Sequence, residues 1–167
     1  DYSKYEHRPP LSHQKEAIEK LVGSRRCILA DDMGLGKTFQ VLSFLKWLRD
    51  FSKDIGEQQR PILIVAPTTL LGNWEREAAI HLESNALGDI TLLYGNSLRK
   101  LRLPGMTTND VVAGKQTLDV DSLAGSGWIL TTYETMRDHH ISLASLPFSC
   151  IVFDEMQKIK SPTSMMT

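Results

Sequence analysis

The sequence has no excess of either charge. Nineteen Lys and Arg stand against twenty Asp and Glu, a formal net charge of −1 over 167 residues. A chain this balanced lacks a general basic field for nucleic acid, so any such site has to be a local patch. Cysteine is scarce too, with only Cys27 and Cys150. They lack metal-ligand spacing, each lies in an apolar run, and both are expected to be small buried core residues. No apolar run approaches the roughly 18 residues of a membrane-spanning helix, and no leader pattern opens the chain. These absences predict an intracellular protein without a membrane partner. The first residue is Asp1 rather than Met, which predicts a fragment of a longer chain.

One further absence sits inside a motif. Asp31-Asp32-Met33-Gly34-Leu35-Gly36-Lys37-Thr38 fits the phosphate-loop pattern G-x-x-x-x-G-K-[ST], except that Asp31 holds the place of the first glycine. An apolar run, Cys27 to Ala30, leads in, and a helical pattern, Phe39 to Leu48, leads out. Gly34 and Gly36 carry no Cβ, so the backbone can curl and turn several N–H groups onto one phosphate. The loop backbone, Met33 to Gly36, would hold the nucleotide, and the positive end of the next helix points at the same place. Lys37 is placed to reach the β- and γ-phosphates, and Thr38 to hold Mg²⁺ through its hydroxyl. On this motif alone, the alternative is an ordinary glycine turn with a surface lysine.

With 41% hydrophobic and 23% charged residues the composition is that of a globular protein, and the length is that of one domain. Residues 1–10 are a polar lead-in ending in Pro9-Pro10. A helix is predicted from Leu11, with Ser12 as N-cap, Ala17, Ile18, Leu21 and Val22 as its buried stripe, and Gly23 as its stop. The first strand is expected from Arg26 to Ala30. The helix after the loop has apolar positions Val41, Leu42, Phe44, Leu45 and Leu48, and Phe51 to Arg60 reads as a surface connection. Pro61 to Ala66 has the look of a strand buried on both faces. A helix follows over Leu70 to Leu82, with Trp74, Ala78 and Leu82 on one stripe and Trp74 as a packing residue. Further strands are expected at Ile90 to Tyr94 and Trp128 to Thr132 and another buried strand at Ser149 to Phe153, with short helices at Ser97 to Leu101 and Tyr133 to Arg137.

Residues 95–127 break this rhythm. They hold a basic cluster, Arg99, Lys100 and Arg102, then Pro104-Gly105 and a polar stretch. A long loop or a small hairpin is expected, with two short strands between Val111 and Val120. The cluster reads either as a solvated helix face or as a contact for DNA or a partner.

Alternating strands and helices predict an α/β fold with a mostly parallel sheet and helices on both faces. In such sheets ligands lie at the carboxyl ends of the strands. The phosphate loop, Pro67-Thr68-Thr69, Thr131-Thr132 and Asp154-Glu155 all follow expected strand ends. At the last of these, Asp154 can help hold Mg²⁺ beside Thr38, and Glu155 can orient and deprotonate the water that attacks a γ-phosphate.

These motifs together resemble the first RecA-like lobe of an SNF2-family ATPase, within the superfamily-2 helicases and translocases. Asp31 to Thr38, with Gln40, resembles motif I, where the family usually has Asp-Glu instead of Asp31-Asp32. Ala66-Pro67-Thr68-Thr69-Leu70-Leu71-Gly72-Asn73-Trp74, with Glu77, resembles motif Ia. Leu130-Thr131-Thr132-Tyr133-Glu134 is similar to the motif before the acidic strand, and Asp154-Glu155-Met156-Gln157 to motif II. Residues 11–167 would be the ATP-binding lobe, with 95–127 as an unmatched insertion.

The resemblance implies ATP and Mg²⁺ as cofactors, Gln14 as a reader of adenine, and Lys37, Asp154 and Glu155 as catalytic residues. Gln157 stands where many members have His, and can still hydrogen-bond the γ-phosphate. It further implies movement along double-stranded DNA, gripped at its phosphates by Thr68, Thr69, Asn73, Thr131, Thr132, Lys158 and Lys160. The chain ends before the family's next coupling motif and its C-terminal RecA-like lobe, so the isolated piece is expected to bind ATP weakly and hydrolyse it negligibly. A protein partner could use residues 95–127. The nucleus is the expected location in a eukaryote, the cytoplasm or nucleoid in a prokaryote. The competing readings are a strand-separating helicase and a non-catalytic nucleotide-binding scaffold.

Overall fold

The computed structural model describes residues 11–24, 26–29 and 36–155. They form two compact units: the described parts of residues 1–59 with 72–89, and of residues 60–71 with 90–167.

In the first unit, helices α1 (Ser12–Val22) and α2 (Lys37–Asp54) pack against each other. Ile18 of α1 and Leu42 and Leu45 of α2 are fully buried, whereas the other positions of the predicted stripes, Ala17, Leu21, Val22, Val41, Phe44 and Leu48, are half-buried. The N-cap of α1 is Leu11 and not Ser12. The Leu11 amide donates to Gln14 Oε1 at 2.9 Å, so a side chain one turn inside the helix satisfies the group that a capping serine would leave open. Helix α2 runs past Leu48, and residues 51–54 are helical rather than a connection. Phe44, Trp47 and Phe51 stack along it, with ring centroids 6.2 and 5.2 Å apart, and this ladder at helical spacing supports the extra turn.

The strand expected at Arg26 to Ala30 is absent over the described residues 26–29. Ile28 is 86% exposed, and Cys27 is exposed instead of lying in the core. An apolar run becomes a strand only where a neighbour completes its hydrogen bonds, which composition cannot report.

The second unit is built on four parallel strands in the order β2-β3-β1-β4, with β1 at Ile62–Val65, β2 at Ile90–Leu93, β3 at Trp128–Thr131 and β4 at Cys150–Phe153. Parallel neighbours need crossovers. Helix α3 (Thr68–His81) follows β1, starting two residues earlier than predicted. Helices α4 (Gly95–Lys100), α5 (Asp110–Ala113) and α6 (Val120–Ala124) lie between β2 and β3, and α7 (Tyr133–Asp138) and α8 (His140–Ala144) between β3 and β4. Every residue of β1 is buried, as its unbroken apolar run predicts. Leu63 and Val65 of β1, Leu93 and Ile129 share one sheet face and pack with Leu118, Leu123, Leu143 and Leu146. In the first unit's part of α3, Trp74 is 2% exposed, a packing residue as expected.

Two expectations fail here. Strand β4 is not fully buried: Ile151 and Phe153 are exposed on one face, and among the described strands β4 pairs only with β1. Residues 111–120 form no hairpin strands but contribute to the short helices α5 and α6. Asn109 and Asp119 cap them by accepting the amides of Val112 and Ser122, and this local capping outweighs the strand propensity of the valines. A single antiparallel bridge, Arg102 to Leu118, is all that remains of the hairpin.

Candidate functional site

In the first unit the site is the start of α2. Gly36 is its N-cap, with φ 75° and ψ 37°, in the left-handed region that glycine holds without a Cβ clash. A Cβ built there would stand 2.7 Å from Gln14 Nε2, so the adenine-reading candidate lies directly over the last loop glycine. The Leu11 amide holds the other end of the Gln14 amide group. Lys37 and Thr38 open the 18-residue helix, whose dipole favours an anion at this end. Asn73 lies in α3, its Oδ1 accepting from Arg76 Nη2 at 3.0 Å. Met33, Gly34 and Leu35 lie outside the described residues.

In the second unit the site is the carboxyl edge of the sheet. Parallel register sets Val65 beside both Thr131 and Phe153, so the chain leaves β1, β3 and β4 at one level. The Asp154 amide donates to Val65 O at 2.9 Å, and the Ala66 amide to Thr131 O at 3.1 Å, extending the ladders just past the strands. Thr68 and Thr69 are exposed at this edge. Thr131 is fully buried and its hydroxyl donates to Leu93 O at 2.9 Å, which leaves it no open face for a phosphate. Thr132 caps α7, its Oγ1 accepting from the Thr135 amide at 3.1 Å. Asp154 and Glu155 are half-buried, and Glu155 has φ 54°, a left-handed conformation unusual for a side-chain-bearing residue. Gln157, Lys158 and Lys160 lie outside the described residues.

Tyr133 is the residue that sequence reasoning passed over. Its hydroxyl donates to Asp154 O at 2.8 Å, and its ring stacks on Phe153 with centroids 6.3 Å apart. Burial, and then the nearby carboxylates of Asp154 and Glu155, push its pKa up to about 12, so it stays a donor. The available signal was its place directly after Thr131-Thr132 at a strand end.

Residues 110–117 are tied to α8 by a second network. Asp110, fully buried, accepts from the Thr117 amide (2.9 Å) and hydroxyl (2.6 Å) and from the Ser142 amide (2.6 Å) and hydroxyl (2.9 Å). Burial by itself would raise the Asp110 pKa, but these bonds together hold it below the usual carboxylate range. His139 Nδ1 lies 3.1 Å from Thr117 Oγ1. In the basic cluster, Arg99 and Lys100 are exposed on α4, whereas Arg102 is half-buried and donates to Thr107 O at 3.0 Å.

Thr38 and Asp154 offer a hydroxyl and a carboxylate, hard oxygen donors of the kind Mg²⁺ takes. Among the described residues no three His, Cys, Asp or Glu side chains converge on a metal position.

A family model described as the SNF2-related domain matches residues 13–167. The chain is 43% identical over 147 residues to Zorya protein ZorD of Escherichia coli, covering 84% of this chain and 13% of that protein. It is 33% identical over 159 residues to chromodomain-helicase-DNA-binding protein 7 of Gallus gallus, covering 89% of this chain and 5% of that one. It therefore spans only a small part of these curated relatives. Its fold is similar to that of the Sulfolobus solfataricus SWI2/SNF2 ATPase core in complex with dsDNA, with a TM-score of 0.64 and 24% identity, over 96% of this chain and 29% of that one.

Proposed function

Because this chain belongs to the SNF2-related domain family, we propose that it is the ATP-binding lobe of an enzyme that hydrolyses ATP to move along double-stranded DNA without separating the strands. The start of α2 carries this reading: a left-handed Gly36, then Lys37 and Thr38, with Gln14 closing over the turn. The DNA duplex in the similar archaeal ATPase core supports the choice of partner.

Bound Mg·ATP supplies the scissile phosphoanhydride and a charge-neutralising cation. The chain's own groups do the rest. Gln14 reads adenine, and the backbone from Met33 to Gly36 cradles phosphates. Lys37 offsets developing charge, Thr38 and Asp154 hold the cation, and Glu155 orients the water and takes its proton. Gln157 hydrogen-bonds the γ-phosphate. Thr68, Thr69, Asn73, Thr132, Lys158 and Lys160 form the DNA-phosphate grip, which reads no sequence and so permits release and re-binding anywhere. Thr131 serves that grip only by setting the sheet edge, since its hydroxyl is buried.

The complete protein supplies a second RecA-like lobe and its transition-state arginine, a group worth factors of about 10³ to 10⁵ in phosphoryl transfer. The isolated 167-residue chain accordingly binds ATP weakly and turns it over negligibly. Residues 95–127 serve a protein partner. The enzyme works where DNA is, in the nucleus of a eukaryote or the cytoplasm or nucleoid of a prokaryote.

The test is the ATPase rate of the complete protein without DNA, with single strands and with duplex, beside Lys37→Ala and Glu155→Gln. Strong stimulation by duplex that both substitutions abolish is the expected result. Preference for single strands would move the reading to a strand-separating helicase. A flat rate in every condition would leave a nucleotide-binding scaffold.

A further inference from the structure

Strands β3 and β4 are not neighbours, because β1 lies between them. Their ends are therefore separated by two strand spacings, roughly 10 Å. A hydrogen bond crosses this gap: the Tyr133 hydroxyl, from the first residue of α7, donates to the carbonyl of Asp154, the first residue after β4. Few side chains combine that reach with a polar tip.

The reason this carbonyl needs such a donor lies in β1. The β1–β4 ladder passes through the Asp154 amide, which donates to Val65 O. One step further, the donor due at Asp154 O is the amide of residue 67. That residue is Pro67, which has no N–H. Tyr133 supplies the missing proton from the opposite side of β1. The next residue, Glu155, has φ 54°, a backbone state that persists in a non-glycine residue only when its surroundings impose it. The ring of Tyr133 stacked on Phe153 clamps the residue just before the pair.

We propose that Tyr133 is a positioning residue: its hydroxyl replaces the ladder bond that Pro67 cannot make and sets the peptide that presents Glu155. The strap also joins the Thr132 end of β3, in the candidate DNA edge, to the acidic pair, so a shift of α7 is passed to Glu155. The catalytic part of this inference rests on the ATPase reading above. The strap itself does not.

The experiment is Tyr133→Phe in the complete protein, which keeps the ring stack and removes only the hydroxyl. Hydrogen exchange is followed in peptides covering residues 150–155, with β1 and β3 peptides as internal reference. Binding of a fluorescent ATP analogue and steady-state ATPase with saturating duplex are measured alongside. Faster exchange confined to 150–155, analogue affinity within about twofold, and kcat lowered about tenfold at unchanged KM are expected, the size of a lost supporting contact. Unchanged exchange in a well-folded variant overturns the strap. Faster exchange with unchanged kcat overturns the positioning role. A wild-type protein without ATPase activity would sink the ATPase reading and the catalytic half of this one, while the exchange comparison still decides the strap.

Discussion

Gln14 sits over Gly36 so closely that a Cβ on the glycine would lie 2.7 Å from the Gln14 amide nitrogen. The two residues are 22 positions apart, and each limits what the other can be. Gly36→Ala would therefore act twice. The left-handed backbone, φ 75°, costs alanine about 1–2 kcal/mol, and the methyl displaces the Gln14 amide. We expect ATP-analogue affinity to fall at least about tenfold, in line with the free energy involved. Adding Gln14→Ala relieves the clash but not the backbone strain, so the double variant does not recover. Fluorescence titration of both variants against wild type tests this.

Asp110 anchors the segment between β2 and β3 to α8. Asp110→Ala leaves the buried amides of Thr117 and Ser142 without their carboxylate acceptor. The Thr117 amide keeps the Ser142 hydroxyl at 3.1 Å, but the Ser142 amide is orphaned at about 1–3 kcal/mol, so a loss of about 2 kcal/mol is expected in urea unfolding followed by tryptophan fluorescence. Amides of residues 110–118 should lose exchange protection before those of β1. A loss under about 0.5 kcal/mol, the level of an ordinary surface substitution, would contradict the network.

The same residue sets an acid limit. Its folded pKa lies below that of an unfolded aspartate, which titrates near ~3.9. A depressed carboxylate contributes stability that is fully present above the unfolded pKa and is lost as pH falls through the folded one. Stability should therefore drop on acidification below about pH 4, and Asp110→Asn should flatten that part of the profile. Unfolding midpoints between pH 6 and 3 give the comparison.

The two cysteines should separate by reactivity. Cys27 is exposed, whereas burial raises the Cys150 thiol and leaves it less thiolate. At neutral pH Cys27 should be alkylated faster by at least about tenfold, since rate follows thiolate fraction and access. Peptide mass spectrometry over a time course reads both sites. Equal rates would mean that β4 opens freely.

What the sequence determined by itself is whatever short range can encode. Gly36-Lys37-Thr38 announces a helix start because the glycine, its positive φ and the first helical residues are consecutive. The run at Pro61 to Ala66 announces a buried strand because burial on both faces demands unbroken apolar character. Thr131 and Tyr133 were visible only as members of a motif. That one hydroxyl is consumed by Leu93 O while the other reaches Asp154 depends on strand order, on register and on the missing amide of Pro67. The Asp110 network, the one-sided exposure of β4 and the absence of a strand at Arg26 to Leu29 are of the same kind. Each is settled by partners tens of residues away, and a hydrogen bond between distant residues leaves no periodicity in the chain for sequence reasoning to detect.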